Sequence, residues 1–158
     1  MPGVRICIIG GGSAYMTAMF AALGRYAREG GLAGSTIVLN DIDRESVALM
    51  AAWGRAGAAR AGLRLAFTDE PDLPRAFSGA DFVISCIRPG GLDGRYADET
   101  IPEKHGELGI ETVGVGGLFM ALRTIPVVTR IAKTIRRTAP QAWRPERHRQ
   151  RHGQDRDR

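Results

Sequence analysis

The chain has 158 residues, 44% of them hydrophobic and only 6% aromatic, with 21 glycines and a formal charge of +5. That size sets one domain with a real core as the expectation, and so many glycines suit a fold of strand–loop–helix turns better than a sandwich. No apolar run approaches the ~18 residues of a membrane span, and the first glycines arrive too soon for a signal peptide, so no membrane partner and a cytoplasmic address are expected. The excess charge is largely local: residues 144–158 hold six arginines against Glu146, Asp155 and Asp157. This weakens a nucleic-acid reading, and no nucleic-acid partner is expected.

Val4 to Ile9 is a short apolar run that breaks into Gly10-Gly11-Gly12-Ser13. It predicts a buried parallel strand followed by a turn in which a ligand can approach the backbone. The spacing is G-x-G-x-x-Y, with Tyr15 where a third, packing glycine is usual, and a ligand-free glycine turn is the plain alternative. A helix is expected over 14–29, ended by Gly30-Gly31, and then a strand over Thr36–Asn40. Asp41 follows that strand where a dinucleotide fold places a carboxylate for ribose hydroxyls, and Asp43 reads as the cap of a helix reaching about Arg60.

A third strand is expected over Arg64–Thr68, a helical turn over Leu73–Phe77 and a fourth strand over Asp81–Ile87, which ends at Arg88-Pro89-Gly90-Gly91. A charged residue at the carboxyl end of a parallel strand lies where open α/β sheets bind ligands, which raises Arg88 above a surface arginine. Cys7 and Cys86 both fall in strand-like runs and read as small buried thiols. Residues 95–105 are polar, 106–117 glycine-rich and loop-like. A long helix then carries Leu118, Leu122, Ile125, Val128, Ile131, Ala132 and Ile135 on one face, with Pro126 inside it and Pro140 stopping it. Ala142-Trp143 reads as the approach to a fifth strand. Residues 144–158 lack the apolar content to fold and are expected to be a disordered basic tail after a domain of 1–143. The abrupt change at Trp143 is read as the mark of a truncated or frame-shifted product.

Several stretches together resemble one family, the NAD-dependent glycoside hydrolases of family 4: IIGGGSAY, LNDID, GADFVISCIRPGG, DETIPEKHGELGIETVGVGG and LFMALRTIP. The fourth and fifth of these, from Asp98 through Pro126, are specific, whereas the glycine turn alone also suits a 2-hydroxy-acid dehydrogenase or a non-enzymatic nucleotide-binding module. Met16 and Thr17, His105 and Val115 depart from the family's usual residues. The resemblance implies a Rossmann-like doubly wound α/β sheet, here stopping before a fifth strand, NAD and Mn2+ as cofactors, and a glycoside or 6-phospho-glycoside as substrate. Full-length members are expected to be homo-oligomers. The implied chemistry is hydride removal from C3 of the sugar, loss of the C2 proton, elimination of the C1 oxygen and return of the hydride, rather than displacement by two carboxylates. Carried onto this chain, Gly10, Gly11, Gly12 and Ser13 match the pyrophosphate turn, Asp41 the ribose carboxylate, and Ile87 and Arg88 the nicotinamide end. Arg95 matches a substrate-binding arginine, and Glu111 a glutamate that raises the basicity of a catalytic tyrosine. The acid, the base and the Mn2+ ligands match no residue here, so no metal ligand and no independent catalysis are expected of these 158 residues.

Overall fold

The computed structural model describes residues 3–142. They form two compact units, one reaching Cys86 and resuming at Ile135, the other covering Ile87–Thr134. Trp143, where the sheet is expected to stop short of a fifth strand, and the tail over 144–158 fall outside the described residues.

The first unit is built on a parallel sheet of β1 (Arg5–Ile9), β2 (Ser35–Asn40), β3 (Leu65–Asp69) and β4 (Phe82–Ser85), in the order β3-β2-β1-β4. Cys7 stands opposite Val38 on one side and Val83 on the other. The two inner strands are apolar without alternation because both of their faces are covered, and Cys7, Ile8, Ile37, Val38 and Leu39 are fully buried. Burial pushes the Cys7 thiol up to about 12, so it stays a neutral packing group. Cys86 is only half-buried, contrary to expectation, because it lies one residue beyond β4.

β4 is shorter than expected, and the reason is its neighbour. Ser85 pairs with Ile9, the last residue of β1, and Cys86 donates its N–H to the Ile9 carbonyl at 2.8 Å; beyond this the partner chain turns away at Gly10. Three helices return the chain between strands: α1 (Met16–Arg28), α2 (Arg44–Arg60) and α3 (Leu73–Phe77). Phe20 of α1 meets Phe67 of β3 edge-on at 4.8 Å and stacks on Trp53 of α2 at 5.8 Å. Gly54 makes this packing possible, since a Cβ there would lie 2.6 Å from the Phe67 ring. The architecture is the expected Rossmann-like α/β arrangement.

The second unit contains α4 (Gly91–Glu103) and most of α5 (Gly114–Thr138). α4 occupies a stretch read from sequence only as polar, and α5 begins four residues before the expected Leu118. Leu118, Leu122, Ile125 and Val128 are exposed on α5, whereas Ile131 is buried. By length and composition α5 alone among the described helices is long and apolar enough to cross a membrane. The sequence expectation that nothing here reaches that length counted uninterrupted apolar runs, and Arg123 interrupts this one.

Candidate functional site

The glycine turn leaves β1 with Gly10 in the left-handed region, φ 84°, a conformation that favours a residue without Cβ. Its geometry is fixed by β2 and by Asp41 just beyond that strand. The N–H groups of Gly10 and Gly11 both donate to the Asn40 carbonyl, at 2.9 and 3.1 Å. The Gly12 N–H donates to Asp41 Oδ2 at 2.9 Å. Gly11 lies so close to β2 that a Cβ would stand 2.9 Å from the Leu39 Cβ, and one at Gly12 would come within 3.1 Å of Asp41 Oδ2. Three glycines are therefore used for three reasons: one for handedness and two for close approach to the strand and carboxylate beside them.

Asp41 also accepts the Asp43 N–H through Oδ1, at 3.2 Å. A carboxylate offers about four acceptor positions, so two such bonds leave capacity for hydroxyl donors. Asp43 serves as the expected cap: its side chain accepts the Ser46 N–H at 3.0 Å and the Ser46 hydroxyl at 2.7 Å, which holds its carboxyl below the usual range. Beyond the turn, α1 starts at Met16 with neither a side-chain cap nor an acidic residue in its first turn. No carboxylate of its own occupies the positive end of that helix.

In the second unit, Arg88, Arg95 and Glu111 come together. Arg88 Nη1 pairs with Glu111 Oε2, and Arg95 Nε stands 3.6 Å from the same oxygen. Arg95 also donates to Glu99 Oε1 at 2.8 Å, one turn along α4, and the bond to Glu99, with the charge of Glu111, raises its already high pKa. Two guanidinium groups and two carboxylates thus share one charged cluster. Ile87 lies two residues past β4 and is half-buried.

Beside this cluster lies an ion pair that the sequence reading missed. Asp98 is 2% exposed, and Arg123 grips both of its oxygens, Nη1 donating to Oδ1 at 2.7 Å and Nη2 to Oδ2. The bond from Arg123 outweighs burial and holds the Asp98 carboxyl below the usual carboxylate range. Arg123 was legible in one respect: it is the single charged residue between Glu111 and Arg130 in an otherwise apolar and glycine-rich stretch.

Among the described residues no group of three or more His, Cys, Asp or Glu side chains could hold a metal ion. The donor set of these residues therefore does not fit Mn2+, whereas the glycine turn and Asp41 fit the phosphate and ribose ends of a dinucleotide.

A parallel sheet with a glycine turn after its first strand and a carboxylate after its second defines an α/β protein of the dinucleotide-binding type. The family model described as family 4 glycosyl hydrolase matches residues 5–145, and the chain belongs to that family. It is 38% identical over 143 residues to a probable 6-phospho-beta-glucosidase of Bacillus subtilis (strain 168), an alignment covering 89% of this chain and 32% of that protein. A 6-phospho-alpha-glucosidase from gut microorganisms, solved in complex with NAD and Mn2+, superposes with a TM-score of 0.82 at 31% identity, over 89% of this chain and 32% of that one. A 6-phospho-beta glucosidase from Thermotoga maritima, solved with manganese, NAD+ and glucose-6-phosphate, gives 0.78 at 34% identity, over 86% of this chain and 33% of that one. The chain spans about a third of the length of these relatives. Family membership sets aside the dehydrogenase reading that the glycine turn alone left open.

Proposed function

We propose that the chain is the dinucleotide-binding portion of a glycosidase that cleaves an O-glycoside or 6-phospho-glycoside by C3 oxidation, C2 deprotonation and elimination, with NAD supplying the reversible hydride acceptor. The observation that carries this reading is the bond from the Gly12 N–H to Asp41. It couples the turn to the carboxylate, as a site for pyrophosphate and ribose on one molecule requires.

Gly10, Gly11, Gly12 and Ser13 shape the turn for a pyrophosphate. Asp41 accepts ribose hydroxyls with the lone pairs not given to Gly12 and Asp43. Ile87 and Arg88 border the nicotinamide. Arg95 binds substrate oxygens or a 6-phosphate, a task suited to a planar cation with several donors. Glu111 orients the two arginines it touches and raises the basicity of a tyrosine supplied from outside these residues. The relatives solved with Mn2+ support a metal-dependent reaction, and the ligands are assigned outside residues 3–142. On this reading the 158 residues alone bind nucleotide without turning over glycoside. The whole enzyme works in the cytoplasm as a homo-oligomer.

Calorimetric titration of the chain with NAD tests the cofactor role. Wild type takes up NAD, and Asp41→Ala weakens uptake by roughly tenfold or more, the usual worth of hydrogen bonds to a charged group. No uptake by folded wild type overturns the cofactor role, and cleavage of a 6-phospho-glycoside by the chain with NAD and Mn2+ overturns the statement that it is inactive alone.

A further inference from the structure

We infer that Arg123 is a positioning residue, whose grip on buried Asp98 sets the geometry of Arg88, Arg95 and Glu111; the functional meaning of this rests on the reading above. One guanidinium ties together the segments that carry all three. Besides both Asp98 oxygens, its Nε donates to the Pro89 carbonyl at 3.4 Å, directly after Arg88. Asp98 itself lies one helical turn after Arg95 on α4.

The Glu111 segment reaches the same point through backbone. A Cβ at Gly116 would lie 2.4 Å from the Ile110 carbonyl oxygen and 2.7 Å from that of Asp98, so the residue before Glu111 is packed at the aspartate. The guanidinium has a seat made for it. Cβ atoms at Gly90 and Gly94 would stand 2.9 Å from Arg123 Nε and 3.2 Å from Nη2.

With Asp98 buried and Arg123 only half-buried, the ion pair adds little net stability compared with an apolar pair of similar volume, but its directional bonds fix a register that apolar packing would leave free to slide. Glu111 can touch Arg88 and Arg95 together only if the loop at 88–90, α4 and the loop before α5 keep that register. The charged cluster is therefore held from behind by Arg123, which itself takes no part in it.

Two variants of the full chain test this. Arg123→Lys keeps the charge but loses the two-pronged grip. Gly94→Ala improves helix propensity while pressing a methyl against the guanidinium, so a loss there does not trace to a weakened helix. The reporter is rotation of the Arg88 guanidinium about its Nε–Cζ bond, followed by arginine-selective NMR and assigned with Arg88→Lys. Wild type shows slow rotation, because Glu111 holds the group. In both variants, with circular dichroism unchanged, rotation becomes fast, and NAD affinity falls by about tenfold in Arg123→Lys, as for supporting partners around ligating groups. Slow Arg88 rotation in Gly94→Ala, or in folded Arg123→Lys, overturns the inference. If wild type fails to bind NAD, the functional reading falls while the rotation measurement still decides whether Arg123 positions the cluster.

Discussion

The sheet unit and the unit of residues 87–134 are stabilised by different physics. In the first, β1 and β2 bury continuous apolar runs, and the polar groups at their ends are matched by backbone and caps. In the second, Asp98 is the buried anchor and Leu118, Leu122, Ile125 and Val128 are exposed. Glycines differ in parallel: those at 11 and 12 let backbone lie against a strand and a carboxylate, whereas those at 90 and 94 make room for a side-chain cation. The sheet unit rests on area removed from water and should tolerate changes of polar detail, whereas the register around Asp98 rests on directional bonds and should tolerate changes of the exposed apolar surface of α5.

Four experiments bear on that contrast, beginning with the largest effect. Phe77 is fully buried in the sheet unit, and Phe77→Ala should cost about 3–5 kcal/mol in urea denaturation, with amide protection lost first in β1 and β2. Equal early loss in α4 would show that the units do not differ as described. Asp98→Asn should cost about 1.5–3 kcal/mol, read as faster amide exchange in α4 with the β strands retained. Unchanged exchange in α4 would remove the aspartate from its anchoring role.

Asp98 and Cys7, one in each unit, should also respond at opposite ends of the pH scale. Asp98 has a folded pKa below its unfolded value of about 3.9, so its contribution is complete above that value and disappears as pH falls through the folded pKa. Cys7 has the opposite sign. Its contribution is complete below about pH 8.5 and is lost as pH rises toward about 12, because the thiolate is disfavoured where the thiol is packed. Acid should therefore loosen α4, besides uncapping α2 at Asp43, and base should loosen β1. Asp98→Asn should abolish the former step and Cys7→Ala the latter, both followed by amide exchange. The smallest effect is a gain: Gly57 lies inside α2 with open space where a Cβ would stand, and Gly57→Ala should add about 0.5–1 kcal/mol to the sheet unit. A loss there would mean that the space matters to packing.

Much of the sheet unit was legible because its signals are local. The apolar run before Gly10, the strand ending at Asn40 and the Asp43 cap each lie within a few consecutive residues, and the observed bounds of β1, β2 and α2 differ from expectation by at most one residue. The second unit was less legible. α4 opens on Gly91 and carries Pro102 near its end, which masks a helix, and its Leu92 and Tyr96 remain exposed. Asp98 and Arg123 stand 25 positions apart, and no periodicity pairs a carboxylate with a cation at that range. Arg88 was singled out by its place at a strand end and Arg95 and Glu111 by resemblance, but their meeting at one carboxylate oxygen is a fact of the fold.

Two N–H groups converge on the Asn40 carbonyl. Because Gly10 and Gly11 both donate there, and Gly12 donates to Asp41, the turn after β1 takes its shape when the sheet forms. A guest arriving at that turn meets a surface already set, as a key meets a cut lock, and should freeze few backbone torsions on arrival. The amide protons of Gly10–Gly12 should then exchange at nearly the same rate in the filled and the free protein, the chain having done its ordering before any guest appears.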